Sequence, residues 1–434
     1  YGCNAPGGAR ARRRRAGGGA PHAQSSPHWG RFTLFAQASR QDIGDETRDF
    51  RELISTLALH GGHPERSGLE YALEGRFISY PSSERDNVRS LYDAYLGYRA
   101  ESGLGFRVGQ MWLNELGALG SVGGAMLEWR QKRQGPLGRF RFGLFGGLEP
   151  EYYDAGYAED VRKAGAYLAL DGSAGRRHVL GYVQVRNQDV VERSVVTLSN
   201  FIPSGTTFFL YQALEYDLEG PGGNGDGGLN YFFGNVRWAP VRAFEVLATY
   251  HRGRSIDVRT ISDDIINGRP VDPRQLEGLL FESVGARITV TPVKRLRVWG
   301  GYARDRNNRG EPAADRLNAG VSTNDLLGWG FDITANASRI DRAEAGSYTS
   351  WYVSLGKTFG SRVYVTADYT SALSVFRIQR SDDVIVETRP SNSRVSLSAL
   401  INLSRVFSLQ LGGERLDFDE GSEDRLLTGL TVRF

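Results

Sequence analysis

The residues of this chain that could do chemistry are charged side chains at every second position of otherwise apolar runs. Glu74 and Arg76, for example, alternate with Leu73, Gly75 and Phe77. Successive residues of a β-strand face opposite sides, so such a run gathers its charges on one face. Gathered charges hold water and ions, or they pair with one another and brace neighbouring strands. The candidate residues are Arg76, Arg107, Arg130, Arg141, Arg186, Arg287, Arg297, Glu74, Glu128 and Asp332, accompanied by Glu70, Asp93, Arg99 and Arg394.

Other chemistry has weaker support. His60 and His63 are interpreted as a polar turn, and His251 beside strand serines gives little reason to expect a hydrolase. Acidic loop pairs such as Asp263-Asp264 have the ligands that calcium prefers, but they are also typical of solvated loop tips. We therefore assign no catalytic residue, no metal and no cofactor.

Composition narrows the class of protein. Hydrophobic residues make up 40% and aromatic residues 11% of the chain, yet the mean hydropathy is −0.38. No run approaches the roughly 18 apolar residues of a transmembrane helix. The net charge of +3, from 53 basic and 50 acidic residues, is too balanced to indicate nucleic-acid binding. A single cysteine, Cys3, excludes a disulfide framework and a cysteine-based metal or redox site.

The C-terminal strand shows the alternation most clearly. Phe434, Val432 and Leu430 fall on one nearly apolar face of residues 425–434. A chain that ends on an aromatic residue after such a strand resembles bacterial outer-membrane β-barrels. The resemblance implies that Phe434, Val432 and Leu430 form a signal for the barrel assembly machinery. It also implies that the chain lies in the lipid of the bacterial outer membrane.

Runs of about ten alternating residues continue along the chain from residue 30, the length that a tilted strand needs to cross a bilayer. Short connections such as 101–103 alternate with longer polar ones. Counting back from the C-terminus predicts 22 strands, with 18 to 20 as the alternative because runs 50–60 and 190–199 are weak. The longer connections are 149–160, 216–228, 254–278, 305–315, 339–347, 372–393 and 417–424.

The fold that follows is all-β: one antiparallel up-and-down transmembrane barrel over residues 30–434. Short turns would face the periplasm, and longer loops would face the outside. A soluble β-sandwich or propeller is the competing fold, but a propeller would show a blade repeat that this sequence lacks.

Three segments resemble porin-type barrels of the alginate-export kind: residues 105–110, 117–130 and 140–147. The sequence departs from that pattern at Gln110 and Gly123, where the family prefers Arg and Asp. The resemblance supports the barrel class more than any substrate.

The connection at 114–120 is our candidate for a loop that folds inward and constricts the lumen. Its candidate residues are Asn114, Glu115, Gly117 and Gly120.

Residues 1–29 form a separate region, rich in Gly, Ala, Arg and Pro and carrying a basic block at 10–15. Its basic stretch followed by small residues is similar to the ends of a secretion signal without the apolar centre. We predict a disordered segment that is the remnant of a leader. A basic tail that binds an acidic partner is the alternative.

The pattern favours a passive or weakly selective channel for small polar solutes. A slight excess of inward arginines would favour anionic solutes or acidic sugars if the lumen is open. One alternative is the outer-membrane conduit of an export system, whose cargo would be a polysaccharide or another polymer. The other is a non-transporting structural or adhesin barrel, whose lumen would be filled by charge pairs and inward loops.

Overall fold

The computed structural model describes residues 28–62, 67–151, 154–223, 226–326, 328–379 and 385–434, which form one antiparallel sheet. The predicted N-terminal segment lies outside the described residues, apart from His28 and Trp29, which begin the first strand. The strands are β1 (His28–Ile43), β2 (Glu46–Gly61), β3 (Gly68–Ser79), β4 (Val88–Arg99), β5 (Leu104–Trp112), β6 (Ser121–Arg130), β7 (Arg139–Pro150), β8 (Tyr157–Asp171), β9 (Arg177–Asn187), β10 (Val190–Ser204), β11 (Phe208–Glu219), β12 (Asp226–Val241), β13 (Phe244–Ser255), β14 (Leu279–Val293), β15 (Leu296–Asn307), β16 (Ala314–Leu326), β17 (Phe331–Asp341), β18 (Gly346–Phe359), β19 (Val363–Gln379), β20 (Ile385–Thr388), β21 (Ser391–Asn402), β22 (Phe407–Phe418) and β23 (Gly421–Arg433).

The sheet closes on itself, because each strand pairs with its neighbours in the chain and β23 pairs with β1. β20 and β21 both pair with β19 and are two parts of one barrel strand. The barrel therefore has 22 strands, which confirms the predicted number and class. The two weak runs are strands β2 and β10. Closure leaves no strand edge to be exposed to lipid.

The chain end forms the seam of the barrel. The Phe434 amide donates to the Gly30 carbonyl at 3.0 Å, and the Gly30 amide donates to the Phe434 carbonyl at 2.6 Å. The Phe434 ring occupies the space that a side chain at Gly30 would need. Leu430 pairs with Leu34, and Val432 pairs with Phe32, all on the outer face. The predicted assembly signal thus lies on the outer surface beside the first strand.

The outer surface of the barrel is apolar between its two rims. Outward positions on different strands carry exposed Val108, Val284, Leu317 and Leu397. No helix among the described residues is long and apolar enough to cross a membrane.

The two rims carry different connections. We call the rim that holds both His28 and Phe434 the lower rim, and the opposite one the upper rim. Connections at the lower rim include the two-residue turns 242–243 and 294–295. The longest connection at the upper rim is 256–278, which contains the helices α1 (Val258–Ile266) and α2 (Pro273–Glu277).

The upper rim departs from the predicted pattern of longer loops. Two-residue turns join β1 to β2 and β9 to β10 there, at 44–45 and 188–189. The connection predicted at 372–393 contains the end of β19 and all of β20. Residues 417–424 were expected to be a polar connection, but β22 and β23 pair through Phe418 and Gly421, and only residues 419–420 form the turn. The physical reason is that the strands rise above the apolar band. Both faces then meet water, so the polar residues there resemble a loop in the sequence.

The interior is filled on one side only. Inward side chains of β5–β10 pack against residues 113–120, which turn into the lumen. These buried residues form an apolar core: Met111, Leu113, Leu116, Leu119, Val122, Met126, Phe145, Val161, Tyr167, Ala169, Val179, Val183, Val185 and Val195.

Candidate pore lining and inward segment

Residues 113–120, which we call the inward segment, are built to fold into the barrel. The Leu113 amide donates to the Gly120 carbonyl at 2.9 Å and closes the neck of the segment. Gly120 sits so close to the Leu113 backbone that a side chain would not fit there. At Gly117 the backbone has φ = 59°, a left-handed conformation that favours glycine. Three leucines of the segment are buried in the apolar core, so the segment is held from below by packing.

Glu115 fixes the segment to the barrel wall. Its Oε1 accepts hydrogen bonds of 2.6 Å from both Arg141 on β7 and Arg177 on β9. Asn114 and Gly117 stay exposed on the other side of the segment. The segment predicted to fold inward therefore lies inside the barrel and presents its polar edge to the rest of the lumen.

Glu128 on β6 is the centre of an ion-pair network beneath the inward segment. Its carboxylate lies 3.1 Å from Arg99, 2.9 Å from Arg130 and 3.4 Å from Arg141. The hydroxyl of Tyr167 donates to the same carboxylate. The Glu128 side chain is only 4% exposed, so this negative charge is stabilised by protein groups and not by water.

Neighbouring carboxylates extend the network. Glu70 lies 2.7 Å from Arg99 and 3.0 Å from Arg107, and Asp171 lies 2.6 Å from Arg141. The network contains five arginines and four carboxylates, so the charges nearly cancel. Its members are Arg99, Arg107, Arg130, Arg141, Arg177, Glu70, Glu115, Glu128 and Asp171.

The sequence alternation predicts that Arg107, Arg130 and Arg141 lie together on one inner wall, and in the structure they do. Their charge is compensated locally, which corresponds to the bracing alternative for this part of the wall. Tyr167, Asp171 and Arg177 were not identified from the sequence, because nothing in their local pattern reveals that they meet residues 30 to 62 positions away.

A second polar cluster docks α1 into the upper mouth. Arg259 lies 2.6 Å from both Glu149 and Glu192, and the Ser262 hydroxyl donates to Glu192 at 2.7 Å. Asp257 caps the helix by accepting from the Thr260 amide at 3.1 Å. The Thr260 hydroxyl and amide hold the pKa of Asp257 below its usual value.

The remaining predicted residues lie on a more open part of the wall. Alternation places Arg76, Arg287 and Arg297 on the inner face, exposed, and none of them forms an ion pair with another described residue. Glu74 lies 3.5 Å from His60, an inward strand residue and not the rim turn that the sequence suggested. Asp332 is also inward and accepts from the Asp325 amide at 3.1 Å, so it stabilises a lower-rim turn.

The prediction for Arg186 is wrong. Its neighbours Val185 and Asn187 are buried inside the barrel, so Arg186 is exposed on the outer face opposite Arg162. The error has a physical reason. The inner face of β9 is apolar because it packs in the core around the inward segment, so polarity does not identify the inner face there.

A cavity of about 650 Å³ lies beside the inward segment. Asn114, Glu115 and Gly117 form one side, and Tyr231 and Phe281 are on the facing wall. The cavity joins the polar edge of the segment to an aromatic wall, an arrangement that suits small solutes with both polar and apolar parts. Among the described residues no group of three or more His, Cys, Asp or Glu side chains is placed to hold a metal ion.

A closed sheet of 22 antiparallel strands, with an apolar outer face and charged inner face, now defines the class of protein. It is a transmembrane β-barrel of the kind found in bacterial outer membranes. No protein-family model matches the chain, and no curated protein sequence matches it.

Several solved structures have a similar fold. OccAB4 of Acinetobacter baumannii is 12% identical, with a TM-score of 0.43 over 96% of this chain and 100% of that chain. OccK3 (OpdO) of Pseudomonas aeruginosa is 12% identical, with a TM-score of 0.44 over 94% of this chain and 95% of that one. OccK5 (OpdH) of the same organism is 11% identical, with a TM-score of 0.46 over 94% and 98%. At these identities the similarity concerns the fold alone.

Proposed function

We propose that the barrel is a channel for small polar solutes, with its lower rim in the periplasm and its upper rim outside the cell. The observation that carries the proposal is that Arg287 and Arg297 are exposed on the inner wall and form no ion pair within the described part of the chain. A lumen filled for structural purposes would bury such groups, and a buried unpaired charge costs several kcal/mol. Water in the lumen is the simplest stabilising environment for these arginines.

The inward segment would then act as the constriction. It narrows the lumen from one side, and its exposed residues Asn114 and Gly117 meet the cavity through which a solute would pass. Because Glu115 is engaged by Arg141 and Arg177, its charge is compensated and does not repel anions strongly.

We further propose a preference for anions. Arg76, Arg287 and Arg297 carry exposed positive charges on the open inner wall, whereas the inward carboxylates Glu74 and Asp332 are half-buried: Glu74 lies 3.5 Å from His60, and Asp332 accepts a backbone hydrogen bond. Arginine stays protonated at any working pH, so a positive potential in the passage would persist.

Conductance of the purified protein in planar bilayers tests both proposals. We expect steady open-channel currents, and a reversal potential under a salt gradient that indicates anion preference. The variant R287E/R297E should shift the reversal potential toward cations. R162E/R186E is the matched control, because it makes the same charge change on the outer face and should leave the reversal potential unchanged.

Each other outcome contradicts part of the proposal. Silence of the folded wild-type protein would indicate a structural barrel, and opening only with an added periplasmic partner would indicate an export conduit. Wild-type selectivity in conducting R287E/R297E would show that these arginines do not line the passage.

A further inference from the structure

The outer face of β13–β16 carries arginines directly above the apolar band. Val284 pairs with Arg304, and Glu282 pairs with both Arg252 and Arg306. Val284 is 55% exposed on the lipid side, so residues that share its face by alternation, Glu282 among them, also point outward. We propose that this surface, the outer arginine patch, binds the phosphate groups of an anionic glycolipid in the outer leaflet.

One carboxylate organises the patch. Glu282 accepts hydrogen bonds from Arg252 at 3.2 Å, from Arg306 at 2.5 Å and from the Tyr250 hydroxyl at 3.2 Å. Its side chain is 12% exposed, whereas those of Arg306 and Arg304 are 70% and 58% exposed. Glu282 therefore fixes the guanidinium of Arg306 through its Nε, and the other N–H donors of this exposed side chain form no further hydrogen bond within the described residues. A guanidinium has five such donors in a fork that matches a phosphate.

The charge of the patch suits an anion. Its four arginines, Arg252, Arg254, Arg304 and Arg306, face two carboxylates, Glu282 and Asp315, which leaves a net charge of +2. Arg304 lies as far as 3.9 Å from Asp315, a weak pairing for an exposed side chain. By alternation from Arg252, Arg254 occupies the next outward position of β13.

At the same height on the outer face of the seam, the outward side chains have a different net charge. At the seam the outward carboxylates outnumber the outward arginines. Arg415, for example, lies 3.0 Å from Asp417 and 3.5 Å from Asp424. The net charge of this seam patch is −1. Its members are Arg40, Arg51, Arg415, Asp42, Asp49, Asp417 and Asp424. Net positive charge is thus a property of β13–β16 that the seam does not share.

The height of the patch identifies the class of ligand. Below it the same strands present exposed Ile288, Val298 and Leu317 to lipid, and Tyr302 lies between the two zones. A molecule that fills both zones has acyl chains and phosphate groups, and tyrosine is enriched at this interface. The assignment to the outer leaflet rests on the proposed orientation of the barrel, but it does not require that the barrel conducts.

Native mass spectrometry of the folded protein in detergent tests the inference. The probes are a diphosphorylated lipid A, the same lipid without phosphates, and inorganic phosphate. We expect the wild-type protein to bind the diphosphorylated lipid at least tenfold more tightly than the dephosphorylated one. R304Q/R306Q should lose at least tenfold in affinity for the diphosphorylated lipid, and R304K/R306K should retain part of it. R40Q/R415Q, the matched control at the seam, should bind like the wild type.

Three results would overturn the inference: equal binding of the two lipids, equal binding by R304Q/R306Q and wild type, or displacement of the lipid by an equal concentration of inorganic phosphate. Heat-modifiable migration shows whether each variant is folded. Loss of lipid binding in a variant that still conducts would separate this surface from the channel, and unaltered binding in a silent barrel would separate the channel from this surface.

Discussion

Neutralising Glu128 should destabilise the barrel more than neutralising an inward carboxylate of the open wall, such as Glu74. Glu128 accepts from three arginines and from Tyr167, and its side chain is almost fully buried. Breaking a buried ion pair from one side costs about 3–5 kcal/mol. In E128Q the amide keeps the side-chain volume and one acceptor oxygen, Arg99 keeps Glu70, and Arg141 keeps Asp171. We therefore expect the lower end, about 3 kcal/mol, in the free energy of unfolding.

Urea unfolding of the protein folded in lipid vesicles measures this change, followed by tryptophan fluorescence and by heat-modifiable migration. A loss of about 3 kcal/mol corresponds to roughly a hundredfold change in the unfolding equilibrium. Glu74→Gln is the control, because Glu74 is inward but 32% exposed, and its single ion-pair partner among the described residues is His60 at 3.5 Å. Its cost should stay below about 1 kcal/mol, as for exposed pairs.

A double-mutant cycle adds a second readout. If Glu128 and Arg130 stabilise each other, E128Q/R130Q should cost at least about 0.5 kcal/mol less than the sum of the single variants. The reasoning is refuted if E128Q unfolds with the wild-type free energy, or if Glu74→Gln costs as much as E128Q.

Four further outcomes are expected. Deleting Phe434 should reduce the heat-modifiable folded form in outer membranes because the seam loses its last hydrogen bonds, and normal folded yield would contradict this role. Gly30→Leu should do the same to a smaller extent, since the new side chain meets the Phe434 ring, and Gly30→Ala should lie between Gly30→Leu and wild type. A cysteine at Gly310 should label from outside intact cells and one at Ser361 should not, and the reverse pattern would overturn the orientation. The lowered pKa of Asp257 means that its cap on α1 is complete above the ordinary pKa of an aspartate and is lost as the pH falls through the lowered value. Hydrogen exchange in α1, corrected for its intrinsic pH dependence, should therefore rise relative to neutral pH in acid, and D257N should remove that dependence.

The barrel could be predicted because its outer face carries a strong and repeated signal. Every strand that faces lipid must present apolar residues at alternate positions, so strands such as β21 and β23 can each be recognised from their own sequence. The number of strands followed from that alternation. The predicted strand ends were wrong where strands extend beyond the membrane, as at 417–424. There water on both sides removes the pattern that distinguishes a strand from a loop.

The site was less predictable because the inner face has no single environment. β9 has apolar residues on both faces, so Arg186 was assigned to the wrong side. Arg107 and Arg130 were correctly read as inward, but alternation does not tell whether a charge meets water or a carboxylate from another strand. Glu115 and Asp171 reach the network from a distant loop and strand, and only the folded chain brings them there.

The uneven filling of the barrel explains why two kinds of inward arginine coexist. A sheet of 22 strands encloses a lumen far wider than a small solute, because barrel diameter grows with strand number. Packing the inward segment against β8 and β9 reduces the width of the lumen. The segment needs polar contacts to hold it, because without it this part of the inner wall would contact water. Arg141 and Arg177 provide this fixation by binding Glu115, and their remaining charge is balanced by Glu128 and Asp171. Arginines on the open wall do not hold the inward segment, so substituting Arg287 and Arg297 should change the ion selectivity. Substituting Arg107 or Arg130 should chiefly reduce the stability of the barrel.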